Sequence, residues 1–172
     1  MDAIELENAM LVAFEGVKKA ETSLRQFHLT DEKGMAGTIT PEEWRAAGSA
    51  RVDSRWEDIP DSEIEKCGCL LAHMQAEDFR YYLPAYMRFS VRHFQEPIRE
   101  SDILGSTVFS LYPSSKNKAL FHYNVAQLSL LTKEQQHIVV EFLRFVAAYA
   151  DDVQRLDAEK ALERYWGRNV GT

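Results

Sequence analysis

The chain has 172 residues, of which 45% are hydrophobic and 27% are charged, a composition typical of one globular domain, predicted over residues 1–172. Its formal net charge of -7 argues against nucleic acid and anionic membranes as partners, because Lys and Arg dominate binding to both. No segment of the sequence approaches the roughly 20 apolar residues that a membrane helix needs.

The first 66 residues carry the whole charge excess and begin with a predicted helix. They hold 15 acids and 8 bases, whereas residues 67–172 hold 12 of each. Apolar residues at helical spacing predict a helix over about residues 2–20. The acidic N-terminus differs from the basic start of a signal peptide, and two cysteines are too few for a disulfide framework. A cytoplasmic protein is therefore expected.

A glycine-bearing connection over residues 34–39 precedes a second predicted helix. In TPEEW, Thr40 has the position of an N-cap, Pro41 that of the first helical residue, and Glu43 completes a capping box. The following GSARVDS interrupts the helical pattern, so this helix is expected to be short.

The segment DSRWEDIPDSEIE, residues 53–65, holds six acids, one arginine and a tryptophan. One interpretation is a solvated loop followed by the start of a helix. The other is an acidic patch with an aromatic anchor, which would bind a basic protein partner. The candidate partner-binding residues are Asp53, Trp56, Glu57, Asp58 and Asp61.

A third helix is predicted within IPDSEIEKCGCLLAHM, with Asp61 or Ser62 as its cap. Its inward-facing positions are Ile64, Cys67, Leu71 and Met74. Cys67, Cys69 and His73 lack the second ligand pair that a closed zinc site needs. The chain also contains no phosphate-binding glycine loop and no G-x-S-x-G motif. No metal site, cofactor or catalytic residue is predicted.

The run FRYYLPAYMRF, residues 79–89, predicts a central helix, with Pro84 kinking it or starting a new one. At helical spacing, aromatic residues cover one broad face over 79–94, which favours a buried core helix. One functional interpretation places Tyr81, Arg88 and Arg92 on an exposed ridge. The other is a pocket for a small molecule or an enzyme site. Its candidate lining residues are Tyr81, Tyr82, Tyr86, Arg88 and His93.

The last third of the chain predicts a small β element followed by a long helix. TVFSLY and ALFHYNV, separated by the turn residues PSSKNK, predict a short β-hairpin near residues 107–125. LTKEQQ repeats the capping pattern, with Thr132 as N-cap and Gln135 three positions later. The helix that follows either continues through residues 151–152 or breaks there.

Three segments resemble a small bacterial family of domains of unknown function. They are WEDIP at 56–60, FRYYLPAYMRF at 79–89, and LLTKEQQ leading into EFLRF over 130–145. The family carries a similar F-R-Y/F-Y-L-P-A-Y-M run. The resemblance covers about residues 52–150, is expected to include the first helix as well, and implies a fold unit without an established activity.

These patterns predict a mostly α single domain of five to six helices, with the small β element near 107–125. The leading function hypothesis is a non-enzymatic interaction protein, similar to a bacterial immunity protein or antitoxin. Its basis is that small acidic proteins suit basic partners. The alternative is a small-molecule-binding domain or an enzyme with the Tyr- and Arg-lined pocket.

Overall fold

The computed structural model describes residues 1–34, 37–97, 102–113 and 117–167, with the backbone alone at Asp152. Over these residues the protein consists of nine α-helices and no strand. They are α1 (Ala3–Ala13), α2 (Leu24–Lys33), α3 (Pro41–Ser49), α4 (Asp61–Lys66), α5 (Ala76–His93), α6 (Ile103–Ser110), α7 (Lys118–Ser129), α8 (Lys133–Tyr149) and α9 (Asp152–Ala161). Two short 3-10 turns, Trp56–Asp58 and Leu71–His73, precede α4 and α5, and a π-helical turn, Leu162–Trp166, extends α9.

The prediction of a β-hairpin near residues 107–125 is wrong, because the described residues form no strand. The predicted number of five to six helices is also too low. The two β-favouring runs fall largely in α6 and α7, and residues 114–116 of the predicted turn lie outside the described part. In α6, the Thr107 hydroxyl donates to the carbonyl of Ile103 at 2.7 Å, so a β-branched polar residue is satisfied within a helix. Tertiary packing buries Ile103, Val108 and Leu111 and overrides the strand propensity.

Four of the described α-helices begin with a reciprocal capping box, whose N-cap residues are Asp2, Ser23, Thr40 and Thr132. In the box of α3, the Thr40 hydroxyl accepts from the N–H of Glu43 at 3.2 Å. The Glu43 carboxylate accepts from the N–H of Thr40 at 3.0 Å. The boxes predicted at Thr40 and Thr132 are confirmed, whereas α2 has no counterpart among the predicted helices.

The central helix is α5, which packs against α1, α4, α6, α7 and α8. Every residue from Tyr81 to Val91 is buried, so the helix is enclosed on all sides over that length. Pro84 lies inside this helix without ending it. This position at the centre of the core agrees with the favoured interpretation of the aromatic run.

The ends of several helices differ from the predicted limits. The first helix ends at Ala13, and Gly16 then adopts a φ of +67°, which turns the chain. The third predicted helix ends at Lys66 because Cys69 takes a left-handed φ of 64°. Of the two alternatives near residues 151–152, a break is observed, since Ala150 is extended between α8 and α9.

Residues from both ends of the chain contribute to the same hydrophobic core. Leu6, Met10 and Phe14 of the first segment are fully buried in it. At the other end, Trp166 is 2% exposed, and its indole N–H donates to the carbonyl of Leu111 at 2.7 Å. Among the described helices, none is both long and apolar enough to cross a membrane.

Candidate functional site

A cavity of about 420 Å³ lies where the ends of α4 and α5 meet the starts of α6 and α9. This volume is within the range of roughly 300–1,000 Å³ that small-molecule sites occupy. Both apolar and charged side chains face it. Its described lining is Glu65, Lys66, Phe89, Ser90, His93, Phe94, Glu96, Pro97, Asp102, Ile103, Leu104, Asp151 and Gln154.

His93, the last residue of α5, is held on the cavity wall by two carboxylates. Its Nε2 lies 3.0 Å from an oxygen of Asp61, and its Nδ1 lies 2.8 Å from an oxygen of Glu96. Partial burial by itself lowers the pKa of His93, but the hydrogen bonds to both carboxylates outweigh burial and raise it. With both nitrogens engaged, the imidazole is a positioned cation or donor, and it must release a partner before it can act as a base.

The carboxylate of Asp61 also binds Arg92, which links three helices beside the cavity. Arg92 Nη1 lies 3.4 Å from Asp61, and its Nη2 lies 2.8 Å from Glu7 of α1. Hydrogen bonding to Glu7 is the main cause of the raised pKa of Arg92. This network fixes the position of α4 and of His93 relative to α1 and α5.

Asp102 holds the opposite wall of the cavity. One of its carboxylate oxygens accepts from the N–H of Gly105 at 2.7 Å and so caps α6. The other accepts from the side-chain amide of Gln154 on α9 at 3.1 Å. A Cβ atom at position 105 would collide with this carboxylate, so a larger residue there would displace the Asp102 side chain from its capping position. The side chain of Asp102 is thereby fixed between two helices.

Four of the five residues predicted to line a pocket are instead core residues. Tyr81, Tyr82 and Tyr86 are fully buried, and their hydroxyls donate to Asp53, to the carbonyl of Thr22 and to the carbonyl of Cys67, respectively. Burial raises the pKa of all three phenols. Of the predicted set, His93 is the member that lines the cavity.

Arg88, the remaining predicted pocket residue, supports the backbone of residues 57–59. It is 8% exposed, and its Nη1 and Nη2 donate to the carbonyls of Glu57 and Ile59 at 3.0 and 2.6 Å. Its guanidinium lies 5.5 Å from the ring centre of Trp56. Burial lowers the pKa of Arg88. Because Tyr81 and Arg88 are buried, they do not form an exposed ridge with Arg92.

The residues predicted to bind a basic partner do not form one exposed surface. Trp56 is 1% exposed, and its indole N–H donates to the carbonyl of Phe14 at 3.0 Å, so it is not an exposed anchor. Asp53 is 6% exposed and accepts from Arg51 at 2.8 Å and from Tyr81 at 2.7 Å. Both side chains hold the interior together.

The other three members of that set lie at the surface, and two of them are paired. Asp58 accepts from the N–H of Arg55 at 3.0 Å, and this hydrogen bond lowers the pKa of its carboxyl. Asp61 contacts Arg92 and His93. Glu57 is half-buried. Local cations therefore offset much of the charge of the acidic stretch.

No metal centre is visible in the described ranges, because no three His, Cys, Asp or Glu side chains there are grouped as metal binding requires. Cys67 is buried, and burial raises the pKa of its thiol to about 12. Such a thiol is a poor nucleophile and a poor metal ligand at neutral pH.

A family model for a family of unknown function, DUF6714, matches residues 2–170. The chain belongs to this family. The match confirms the resemblance to a family of unknown function, includes the first helix, and extends beyond residues 52–150 to α2, α3 and α9. No curated protein and no solved structure matches the chain. The function of this DUF6714 protein is therefore inferred from the geometry of its own cavity.

In this DUF6714 chain, the cavity residues absent from the predicted pocket include Asp102 and Gln154, at the starts of α6 and α9. Asp102 and Gln154 are 52 positions apart and meet through one hydrogen bond. Asp102 carries a usable signal, since Asp before ILGSTVF has the form of an N-cap. The β-hairpin assignment of the following residues hides that signal. Gln154 carries no comparable signal.

Proposed function

We propose that this protein is a small-molecule-binding domain and that its site is the cavity beside His93. The observation that carries the proposal is a cavity of about 420 Å³ that combines an apolar wall with polar groups held in place by their neighbours. Ligand sites in proteins have this composition, since apolar surface supplies affinity and a few polar groups orient the ligand.

The polar groups of the cavity support this proposal because they are positioned in advance. His93 is fixed by Asp61 and Glu96, and Asp102 is fixed by Gly105 and Gln154. Side chains that are already ordered lose little conformational freedom when a ligand arrives, which favours binding. The proposal concerns binding and assigns no reaction.

Recognition of a basic protein through residues 53–65 stays a prediction, and fewer of its candidate residues are free to contact a partner than the sequence suggests. Asp53 and Trp56 are buried, and Asp58 and Asp61 are paired with cations. Reversing the charge of Asp53 or Asp61 would also break contacts that hold the fold. The cavity has the more defined geometry, so it provides the basis for the function proposed here.

Filling the cavity tests the proposal. Leu104 is half-buried on the cavity wall, and Leu104→Trp places an indole in the space available to a ligand. We expect a library of soluble organic fragments to contain binders that shift the amide NMR signals of residues 89–96 and 102–105. These shifts should disappear in the variant, because the indole occupies the ligand's volume.

The matched control is Leu29→Trp, which adds the same side chain at a half-buried position of α2 outside the cavity lining. This variant should keep the fragment-induced shifts, and circular dichroism should show that both variants are folded. If no fragment shifts the cavity signals, or if the shifts persist in Leu104→Trp, the cavity is not a binding site.

A further inference from the structure

We infer that the ligand of this cavity is an organic cation, an amine attached to an apolar body. The inference rests on the proposed function, since it names the chemical class that the proposed site accepts. Three features of the described lining support an organic cation. They are the excess of carboxylates over cations, the lack of a bound cation at three of these carboxylates, and the apolar and aromatic side chains.

Among the described residues that line the cavity, carboxylates outnumber cations. The acidic lining residues are Glu65, Glu96, Asp102 and Asp151, and the basic ones are Lys66 and His93. The described lining is therefore negative even when the imidazole is protonated. A low-dielectric, partly enclosed site of this sign attracts cations and disfavours anions.

Three of these carboxylates have no cation bound to them in the described part of the chain. Asp102 accepts from two neutral donors, a backbone N–H and the amide of Gln154. The side chain of Glu65 has no hydrogen-bond or ion-pair partner among the described residues, and Asp151 does not use its side chain to cap α9. His93 is already shared between Asp61 and Glu96. An ammonium group would supply the donors that these oxygens lack.

The apolar part of the lining indicates that the cation carries a hydrocarbon or aromatic body. Phe89 and Phe94 of the α5 end and Ile103 and Leu104 of α6 contribute apolar surface to the cavity wall. The ring of Phe89 stacks on His93 with centroids 4.3 Å apart, and Phe94 packs edge-on against Phe145 at 5.1 Å. Such a wall attracts an apolar body, and aromatic faces also stabilise a nearby ammonium.

A metal ion does not fit the same arrangement. No three acidic, histidine or cysteine side chains within the described residues are close enough to bind one ion together. The cavity volume of about 420 Å³ is also far larger than a metal ion occupies. An organic cation uses both the dispersed carboxylates and the apolar wall.

Three probes of similar size and different charge test the inference. They are 2-phenylethylamine, 3-phenylpropionate and 2-phenylethanol, each titrated into the full chain while amide NMR signals are followed. We expect the amine to shift residues 89–96 and 102–105 with a Kd about tenfold lower than that of the alcohol. The carboxylate is expected to bind less tightly than the alcohol.

Charge-removing variants assign the effect to the cavity. Glu65→Gln with Asp151→Asn removes two lining charges with little change in side-chain shape, and it removes no side-chain cap from α9, because Asp151 provides none. Binding of the amine should weaken about tenfold, whereas binding of the alcohol should be unchanged. The control pair, Glu15→Gln with Glu159→Gln, removes the same net charge from exposed positions outside the cavity and should leave both affinities unchanged.

The outcomes separate this inference from the proposed function. If the carboxylate or the alcohol binds the cavity as tightly as the amine, the ligand class is wrong and the binding site stands. If both pairs of variants weaken the amine equally, bulk charge explains the preference and the inference fails. If none of the three probes shifts the cavity signals, the inference also fails, and the fragment screen with Leu104→Trp decides the proposed function.

Discussion

The buried ionic group of Arg51, Asp53 and Tyr81 shows how this protein keeps charge in its interior. Arg51 donates to Asp53 through two nitrogens, at 3.0 and 2.8 Å, and to the carbonyl of Ala20 at 2.7 Å. The Tyr81 hydroxyl adds a third donor to the same carboxylate. A buried carboxylate is tolerated when cations and hydrogen bonds satisfy it. The tyrosine of the aromatic run therefore serves the fold.

The pH dependence of stability follows from the pairing of His93. Its pKa is raised in the folded state, because the hydrogen bonds to Asp61 and Glu96 outweigh the effect of partial burial. Protonation therefore stabilises the fold. This contribution is fully present below the ordinary histidine pKa of about 6.5 and is lost as the pH rises through the higher folded value.

We expect His93→Gln to reduce the loss of thermal stability between about pH 6 and pH 8. The difference in melting temperature attributable to His93 should be about 1–2 °C over this range for a domain of this size. Differential scanning calorimetry across the range measures it. His122→Gln, at an exposed histidine on α7, is the control and should leave the slope unchanged. An unchanged slope in His93→Gln would show that the pairing does not stabilise the fold.

At the scale of the element, the start of α8 connects a local capping motif to distant helices. The Thr132 hydroxyl accepts from the backbone N–H of Gln135 at 3.2 Å. In turn, the side-chain oxygen of Gln135 accepts from the backbone N–H of Thr132 at 3.1 Å. The Gln135 side chain also accepts from Arg80 of α5 at 2.9 Å and donates to the carbonyl of Ala13 at 3.1 Å. One capping box thereby fixes α8 against α1 and α5.

We expect Thr132→Ala to lower the free energy of unfolding by about 1 kcal/mol, the usual effect of losing an N-cap side chain. Thr132→Ser retains the hydroxyl and should lose much less. Urea denaturation followed by far-UV circular dichroism gives both values. Equal destabilisation in the two variants would mean that the methyl group, and not the cap, carries the effect.

At the scale of the whole molecule, the arrangement of the core predicts one cooperative unfolding transition. Leu6 and Trp166 lie near opposite ends of the chain, and both are buried in the same hydrophobic cluster. The central helix contacts elements from both halves. Loss of either half would expose α5, so we expect the halves to unfold together.

Single-tryptophan variants measure this cooperativity. The double variant Trp44→Phe, Trp166→Phe keeps the buried Trp56, which reports on the N-terminal half by fluorescence. The double variant Trp44→Phe, Trp56→Phe keeps the buried Trp166, which reports on the C-terminal half. Within each variant, the urea midpoints from fluorescence and far-UV circular dichroism should coincide. A fluorescence midpoint below that of circular dichroism would show that the reporting half unfolds separately.

The sequence predicts the elements that depend on local interactions better than those that depend on packing. Thr40 and Thr132 are recognisable as caps, because their partners are three residues away. The strand assignment fails at α6 because β-branched residues are accepted in a helix when its other positions are buried.

The candidate site is the part that the sequence predicts least. His93 is named, but the cavity depends on where α6 and α9 dock against the end of α5. Trp56 illustrates the same limit. A tryptophan among acidic residues is typical of an exposed anchor, but in the folded chain Trp56 contacts Phe14 and Arg88 and is buried. Contacts between residues that are far apart in the chain have no local signature in a single sequence.

The helical character of most of the chain, the caps Thr40 and Thr132 and the buried central helix can be predicted from the sequence, because they follow from side-chain periodicity and from hydrogen bonds between near neighbours. The cap predicted at Asp61 or Ser62 is wrong, since α4 follows Pro60 without a side-chain cap. Membership of DUF6714 is shown by the family model. The tertiary structure alone decided which acids are buried, which tyrosines are structural and where a cavity remains. Those outcomes depend on how separate helices pack, and packing is a property of surfaces that meet only in the folded chain.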